Sequence, residues 1–152
     1  MYQHILIPTD GSDFSQQAAT HAVALAMAIN ARMTFVTVTQ PFHIFTLQAA
    51  QLEESQDSYE RQMTEQARAI LDSSSAKARA AGILVDTTHS IGEHPYQSII
   101  DTALQRGCDL IVMASHGRGG LAAMVLGSET VKVLTHSKIA VLVVRPDSNP
   151  SP

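Results

Sequence analysis

The sequence predicts an α/β fold in which four helices cover a single, doubly wound, five-stranded parallel sheet. Five short runs rich in valine, isoleucine and leucine have the length and the bounding turn residues of strands, and they lie near residues 4, 33, 83, 109 and 139. Helical patterns separate these runs, and such alternation is typical of a parallel sheet with helices on both faces. A chain of 152 residues has the length of one domain.

The four helices are predicted from capping residues and apolar spacing. The first begins at Ser12 or Asp13, the second runs from about Gln51 to Ala81, the third opens at Pro95 and the fourth at Ser128. Helical spacing turns large apolar side chains of three helices toward the sheet. They include Met27 of the first helix, Leu104 of the third, and Val131 and Leu134 of the fourth.

Composition and charge narrow the classes of partner. A net charge of −4, with acidic and basic residues interspersed, argues against nucleic acid binding. No apolar run approaches the roughly 20 residues of a membrane span, and the N-terminus lacks the pattern of a signal peptide. The single cysteine, Cys108, fits a reducing compartment. We therefore expect a cytoplasmic protein with one domain over residues 1–146 and a disordered tail over 147–152.

Two unusual segments follow the first and fourth predicted strands. "PTDGS" occupies residues 8–12, and the glycine-rich "MASHGRGGLAAMVLGSET" occupies residues 113–130. In the common strand order 3-2-1-4-5, the strand order reverses between the first and fourth strands. Ligands of open parallel sheets bind beyond the carboxyl ends of the strands at that reversal. The sequence therefore predicts one crevice bordered by both segments.

The glycine-rich segment has the chemistry of an anion site. Glycines let backbone N–H groups converge on a ligand, and a helix that opens after Gly127 adds unpaired N–H groups with partial positive charge. Ser128 and Thr130 add hydroxyl donors, so phosphate is the expected anion. A Cβ at Gly127 would fill space meant for that phosphate. The same glycines also fit a surface loop in which Ser128 merely caps a helix.

Other site chemistries match less well. Gly117 to Ala122 satisfies the dinucleotide pattern G-x-G-x-x-A, but that pattern belongs after the first strand rather than the fourth. Ser115 resembles a hydrolase nucleophile only faintly, because Met113 stands where the strained turn needs a small residue. The seven histidines show no zinc-ligand spacing, and Cys108 has the setting of a buried, inert thiol.

These segments together resemble the universal stress protein family over nearly the whole chain. The family's nucleotide-binding branch has a signature of Gly, two residues, Gly, nine residues, and then Gly followed by Ser or Thr. Gly117, the nine residues after it and Gly127-Ser128 match the second half, whereas Ala114 stands at the first glycine position. The opening "PTDGS" and the closing "AVLVVRP" also resemble the family's segments.

The resemblance implies a Rossmann-like homodimer, paired through the last strand from Ile139 to Val144, that binds ATP, ADP or AMP. Asp10 would contact the ribose or adenine side, Pro8 and Thr9 would line the pocket, and Val38 would meet adenine through its backbone. The phosphates would carry a Mg²⁺ or Mn²⁺ ion, with Asp10 or Ser128 as a further ligand. The phosphate-binding residues would be Ala114, Ser115, His116, Gly117, Arg118, Gly119, Gly120, Gly127, Ser128, Glu129 and Thr130. Arg118 would neutralise phosphate charge, although a solvated loop arginine has the same sequence setting.

Three functions fit this pattern. The favoured one is a stress-response regulatory protein that binds ATP with little or no hydrolysis, because no residue stands out as a general base for water. The second is a slow ATPase, or an autophosphorylating enzyme that uses Ser128 or Thr130 as the acceptor. The third is a dimeric interaction protein, because a second branch of the family lacks the signature and does not bind ATP.

Overall fold

The predicted alternation of strands and helices is confirmed in a computed structural model, which describes residues 1–43, 49–117 and 126–146. The predicted tail and residues 44–48 of the loop after the second strand lie outside these ranges. The elements are β1 His4–Pro8, α1 Asp13–Ile29, β2 Arg32–Thr39, α2 Ala49–Ala80, β3 Val85–Ile91, α3 Pro95–Arg106, β4 Leu110–Ala114, α4 Ser128–His136 and β5 Ala140–Val144.

The described strands form one five-stranded sheet in the order β3-β2-β1-β4-β5, as predicted. All four strand pairings are parallel. Ile5 of β1 lies opposite Met33 of β2 on one side and Leu110 of β4 on the other. β1 is therefore the central strand, and the strand order reverses between β1 and β4.

Both faces of the central strands are covered, which explains why these strands read as nearly continuous apolar runs. Alternate residues point to opposite faces, so Ile5 and Leu6 enter two separate clusters. One cluster packs beneath α1 and α2 and includes Ile7, Phe35, Ala22, Ala26 and Leu71. The other packs beneath α3 and α4 and includes Val36, Ile99, Ala103, Ile111 and Val133.

The helix termini follow the predicted chemistry. Ser12 caps α1, and its hydroxyl accepts a hydrogen bond from the Ser15 N–H. Pro95 occupies the first turn of α3, and Gly107 ends that helix with a φ of 70°. A left-handed φ favours glycine, because other residues place Cβ against the backbone there.

The inward orientation predicted for four apolar side chains is wrong. Met27, Leu104, Val131 and Leu134 are exposed to 59%, 61%, 44% and 42%. On α4, Thr130 and Val133 face the sheet instead. The Thr130 hydroxyl donates to the carbonyl oxygens of Ala114 and Ser115. These bonds fix the rotation of α4 about its axis, because the apolar residues alone would permit several orientations of this helix. On α1, small alanines occupy the buried side and allow close approach to the sheet.

The last strand, β5, pairs only with β4 among the described strands. Its residues are half-buried or exposed in the single chain, and Leu142 is among the exposed large apolar residues. Among the described helices, none combines the length and the apolar character needed to cross a bilayer.

Candidate functional site

A cleft of about 540 Å³ opens at the carboxyl ends of β1, β2 and β4. It lies at the reversal of strand order, where α1 and α4 leave toward opposite faces of the sheet. Most of the predicted site residues that the structure describes line it. The lining residues are Pro8, Thr9, Asp10, Ser15, Val36, Val38, Pro95, Ile99, Met113, Ala114, His116, Gly117, Gly127, Ser128, Glu129 and Thr130.

One side of the cleft, which we call the hydroxyl wall, consists of the lining residues Thr9, Asp10 and Ser15 together with Ser12, which bonds to Asp10 and Ser15. Thr9 is buried, and its hydroxyl donates to Ser15 Oγ at 3.2 Å. Thr9 Oγ1 also accepts a hydrogen bond from the Gly11 N–H at 3.3 Å. Asp10 Oδ1 accepts the Ser12 N–H at 2.9 Å. Side-chain hydrogen bonds therefore set the path of the chain between β1 and α1.

The Asp10 carboxylate also lies against Gly117 on the other side of the cleft. A Cβ at Gly117 would lie 2.7 Å from Asp10 Oδ2. Only a residue without Cβ fits at that distance with the carboxylate in place. The structure therefore brings the carboxylate of "PTDGS" next to the first matching glycine of the signature.

The opposite side, which we call the glycine wall, consists of residues 114–117 and 127–130. Backbone groups dominate here: the Gly127 N–H donates to the Ser115 carbonyl at 2.7 Å, and the Ser115 N–H donates to the Val144 carbonyl at 3.0 Å. Ser115 itself is buried, and its hydroxyl lies 3.0 Å from His116 Nδ1. Ser115 thus supports the wall from behind rather than lining the cleft.

Gly127 is required for close approach rather than for an unusual backbone. Its φ of −62° is accessible to any residue. A Cβ there would lie 3.1 Å from the Ser115 carbonyl oxygen and 3.4 Å from His116 Cα. A side chain at this position would therefore press on the backbone that follows β4, and the space for a phosphate beside Gly127 stays a prediction.

The N-terminus of α4 opens into the cleft. Its N-cap, Gly127, makes no side-chain capping bond, and the Gly127 carbonyl accepts from the Val131 N–H. The N–H groups of the first turn are therefore available to an anion, and the helix dipole favours negative charge there. Ser128 is exposed at this position, whereas the Thr130 hydroxyl is bonded to β4.

Glu129 has a contact that the sequence did not reveal. Its Oε2 accepts the Tyr96 N–H at 2.8 Å, and its Oε1 lies 3.5 Å from Lys132 Nζ. The N-cap of α3, His94, makes no side-chain capping bond. The Glu129 carboxylate therefore caps α3 and ties it to α4.

Five lining residues were not predicted from the sequence, namely Ser15, Val36, Pro95, Ile99 and Met113. Val36 lies two residues before Val38 on β2, so both side chains emerge on the same face of the sheet. The alternation of side chains along a strand could therefore have identified Val36 from the sequence, because Val38 was already predicted to lie in the site. Together with Pro8, Val36 and Val38 give this part of the cleft an apolar lining.

Arg118, Gly119 and Gly120 lie outside the described residues. Within the described ranges, no cluster of three or more His, Cys, Asp or Glu side chains could hold a metal by itself.

Burial raises the pKa of the Cys108 thiol to about 11, so that cysteine is a protonated core residue at neutral pH.

Comparisons with known proteins identify the relatives of this chain. It matches the universal stress protein family over residues 1–145. It is 32% identical to universal stress protein YxiE of Bacillus subtilis over 149 residues, which cover 95% of this chain and 100% of that protein.

Solved structures give the same result in three dimensions. The structure of hypothetical protein MJ0577, a test case for structure-based assignment of biochemical function, is similar with a TM-score of 0.82, 28% identity and coverage of 98% of this chain and 99% of that one. MJ0577 comes from Methanocaldococcus jannaschii. A universal stress protein in complex with cAMP is similar with a TM-score of 0.69, 27% identity and coverage of 96% and 98%.

Proposed function

Because the chain belongs to the universal stress protein family, we propose that it is an ATP-binding regulatory protein with little or no hydrolysis. The observation that carries the proposal is the cleft between β1 and β4, which both the uncapped N-terminus of α4 and Asp10 line. The relative in complex with cAMP supports an adenine nucleotide as the ligand class. A response to stress would then follow from the occupancy of this cleft.

Three parts of the cleft would divide the nucleotide among them. The first-turn N–H groups of α4 and the exposed Ser128 hydroxyl are donors, so they would bind phosphate oxygens. Pro8 and Ile99 would contact the base through their apolar side chains, which suit its flat face, and Val38 would meet adenine through its backbone. Asp10, between these regions, would accept hydrogen bonds from the ribose hydroxyls.

The donor set also fits a divalent cation bound together with the nucleotide. Carboxylate, hydroxyl and phosphate oxygens are the ligands of Mg²⁺ and Mn²⁺, and Mg²⁺ is usually bound by one or two carboxylates plus substrate phosphates. Asp10 or Ser128 would hold the ion beside the phosphates. When bound, the ion would neutralise phosphate charge.

Low hydrolysis is proposed because two cleft side chains that could act as a general base are already engaged. His116 Nδ1 is paired with Ser115, and the Glu129 carboxylate is bonded to Tyr96. The remaining donors stabilise phosphate in the ground and transition states alike, which tightens binding without raising the rate. We expect turnovers on the order of one per hour or slower, against an enzyme median of about 10 s⁻¹.

Calorimetric titration with ATP and Mg²⁺, followed by phosphate release at saturation, tests both parts of the proposal. Binding with negligible release is expected. Steady-state hydrolysis above about one per second, lost in Asp10→Ala, would identify an ATPase instead. Phosphate incorporation into Ser128 would identify the autophosphorylating alternative, for which the exposed Ser128 is better placed than the buried Thr130. Absence of nucleotide binding would favour the dimeric interaction protein.

The dimer through Ile139 to Val144 is part of the same proposal. The outer edge of β5 would pair with its copy across a two-fold axis, because an apolar edge strand invites pairing unless it is covered. Val131, Leu134 and Leu142 support this interface, since they are exposed on α4 and β5. Light scattering should give twice the 16.3 kDa chain mass, and Val141→Lys with Val143→Lys should give monomer or aggregate. A wild-type mass of one chain at micromolar concentration would contradict the dimer.

The domain over residues 1–146, with a tail over 147–152, remains part of the proposal, as does a cytoplasmic location. The single cysteine supports a reducing compartment. The intermixed charges still argue against a nucleic acid partner.

A further inference from the structure

We infer that Ser74 of α2, a residue outside the cleft lining, is a positioning residue for the nucleotide. Its Oγ lies 2.8 Å from Thr9 Oγ1, although 65 residues separate the two in sequence. Ser74 is 3% exposed and Thr9 is 5% exposed. The inference rests on the proposed function, because it assigns a role within the same binding site.

The direction of the hydrogen bonds makes Ser74 the start of a chain of hydroxyl donors. The Gln16 side-chain amide donates to Ser74 Oγ at 3.3 Å, which leaves the Ser74 proton for Thr9. Thr9 donates to Ser15 Oγ, and Ser15 donates to the Ser12 carbonyl at 2.9 Å. A chain in which each hydroxyl both accepts and donates is strengthened by mutual polarisation.

This chain ends at the groups that hold Asp10. The Ser12 N–H donates to Asp10 Oδ1, and the Gly11 N–H donates to Thr9 Oγ1. Gly11 has a φ of 79°, so the turn uses a backbone conformation that glycine supplies. Removal of the Ser74 hydroxyl leaves Thr9 without its shortest side-chain hydrogen bond and loosens the turn that carries Asp10.

The neighbouring serine provides a matched control. Ser75 is also fully buried on α2, but its hydroxyl donates to the Asp72 carbonyl of the same helix at 3.5 Å. Ser74→Ala and Ser75→Ala remove the same atom from adjacent buried positions. Only Ser74→Ala breaks the connection to the cleft, so a difference in ligand binding between them reports positioning rather than general stability.

The experiment is calorimetric titration of the full-length wild type and both variants with ATP and Mg²⁺. A lost hydrogen bond that holds the turn should weaken binding about threefold to tenfold in Ser74→Ala. Ser75→Ala should bind within about twofold of the wild type, because its hydroxyl does not reach the turn. Each variant should lower Tm by about 2–4 °C, since each loses one buried hydroxyl. Gln16→Ala, at a half-exposed position, should weaken binding in the same direction but less.

Amide signals of Gly11 and Ser12, measured by nuclear magnetic resonance without ligand, provide the second readout. They should shift and exchange faster in Ser74→Ala and remain unchanged in Ser75→Ala. Wild-type affinity in Ser74→Ala, equal weakening in both variants, or unchanged Gly11 and Ser12 signals in Ser74→Ala would overturn the inference. If the wild type itself does not bind ATP, the proposed function fails, whereas the amide signals still decide whether Ser74 holds the turn.

Discussion

The two walls of the cleft are built by different means. On the hydroxyl wall, Thr9 and Ser15 are held by side-chain hydrogen bonds, and the turn depends on them. On the glycine wall, Gly127 bonds through its backbone, and the missing Cβ permits the close approach to Ser115. Removal of a polar atom should therefore disturb the structure of the hydroxyl wall, whereas addition of a carbon atom should disturb the structure of the glycine wall.

This difference explains why one wall depends on the glycines at 117 and 127 and the other on the hydroxyl groups of Thr9 and Ser15. Where two backbone segments lie as close as Gly127 and Ser115, no room is left for a side chain between them. A wall that presents one carboxylate must hold it at a fixed angle, which requires hydrogen bonds behind it. Substitutions on the two walls should therefore change binding and stability in different proportions.

The largest effect is expected for Gly127→Val on the glycine wall. The added Cβ would contact the Ser115 carbonyl oxygen at 3.1 Å, and backbone cannot move aside as a flexible side chain can. The start of α4 must shift, so ATP affinity should fall about a hundredfold, or about 3 kcal/mol. Calorimetric titration with ATP and Mg²⁺ measures this. As a control, Gly107→Ala should lower Tm, because of its φ of 70°, but leave affinity unchanged.

Ser128→Ala should have the next largest effect. The exposed Ser128 hydroxyl makes no hydrogen bond to another described residue, so its loss should leave Tm within about 1 °C in the absence of ligand. If it donates to a phosphate, affinity for ATP should fall by about 1–3 kcal/mol. Adenosine, which has no phosphate, should bind the variant and the wild type equally. An equal loss of affinity for adenosine would show that Ser128 does not contact the phosphates.

Gly117→Ala tests the contact between the two walls. The new methyl group would push against Asp10 Oδ2, a side-chain atom that yields more readily than the backbone does. We expect ATP binding to weaken by about 1 kcal/mol, or about fivefold, with Tm nearly unchanged. The effect should vanish in an Asp10→Ala background, because the displaced carboxylate is gone. Additive losses in the double variant would show that Gly117 acts without Asp10.

The smallest effect is expected far from both walls, at the opposite end of β1. Burial lowers the pKa of His4, with Arg32 acting in the same direction, so the folded chain takes up its proton less readily than the unfolded chain. Stability should therefore decrease as pH falls below 6.5, by at most about 1.4 kcal/mol per pH unit. Urea unfolding at pH 7.5 and 5.5 measures this loss. A loss as large in His4→Gln as in the wild type would assign it to other groups.

The strand order and the position of the cleft could be predicted from the sequence because they depend on coarse patterns. Buried parallel strands read as apolar runs, and the two unusual segments follow the strands that flank the reversal. The rotation of α4 could not be predicted, because Val131, Val133 and Leu134 lie within four positions of one short helix. Hydrogen bonds from Thr130 to the end of β4 turn the face with Val133 toward the sheet. The spacing of apolar residues along the chain does not reveal these bonds.

The roles of Glu129 and Ser74 could not be predicted for a similar reason. Glu129 reaches Tyr96 across 33 residues of sequence, and Ser74 reaches Thr9 across 65. Neither residue belongs to a local motif at its partner's position, so only the packing of the helices brings them together. The sequence also identified Gly127 as a residue of the candidate site. It could not show that a Cβ there would lie against the Ser115 carbonyl oxygen, because that contact depends on how the chain folds after β4.

The central claim, that the cleft holds an adenine nucleotide, is tested most directly by what the purified chain binds. Heat-denatured protein should release an adenine nucleotide, in an amount up to one per chain. Protein freed of it should melt about 5–10 °C higher when ATP with Mg²⁺ is returned at about a hundred times Kd. A chain that releases no adenine nucleotide, and that melts at the same temperature with and without ATP and Mg²⁺, would contradict the account.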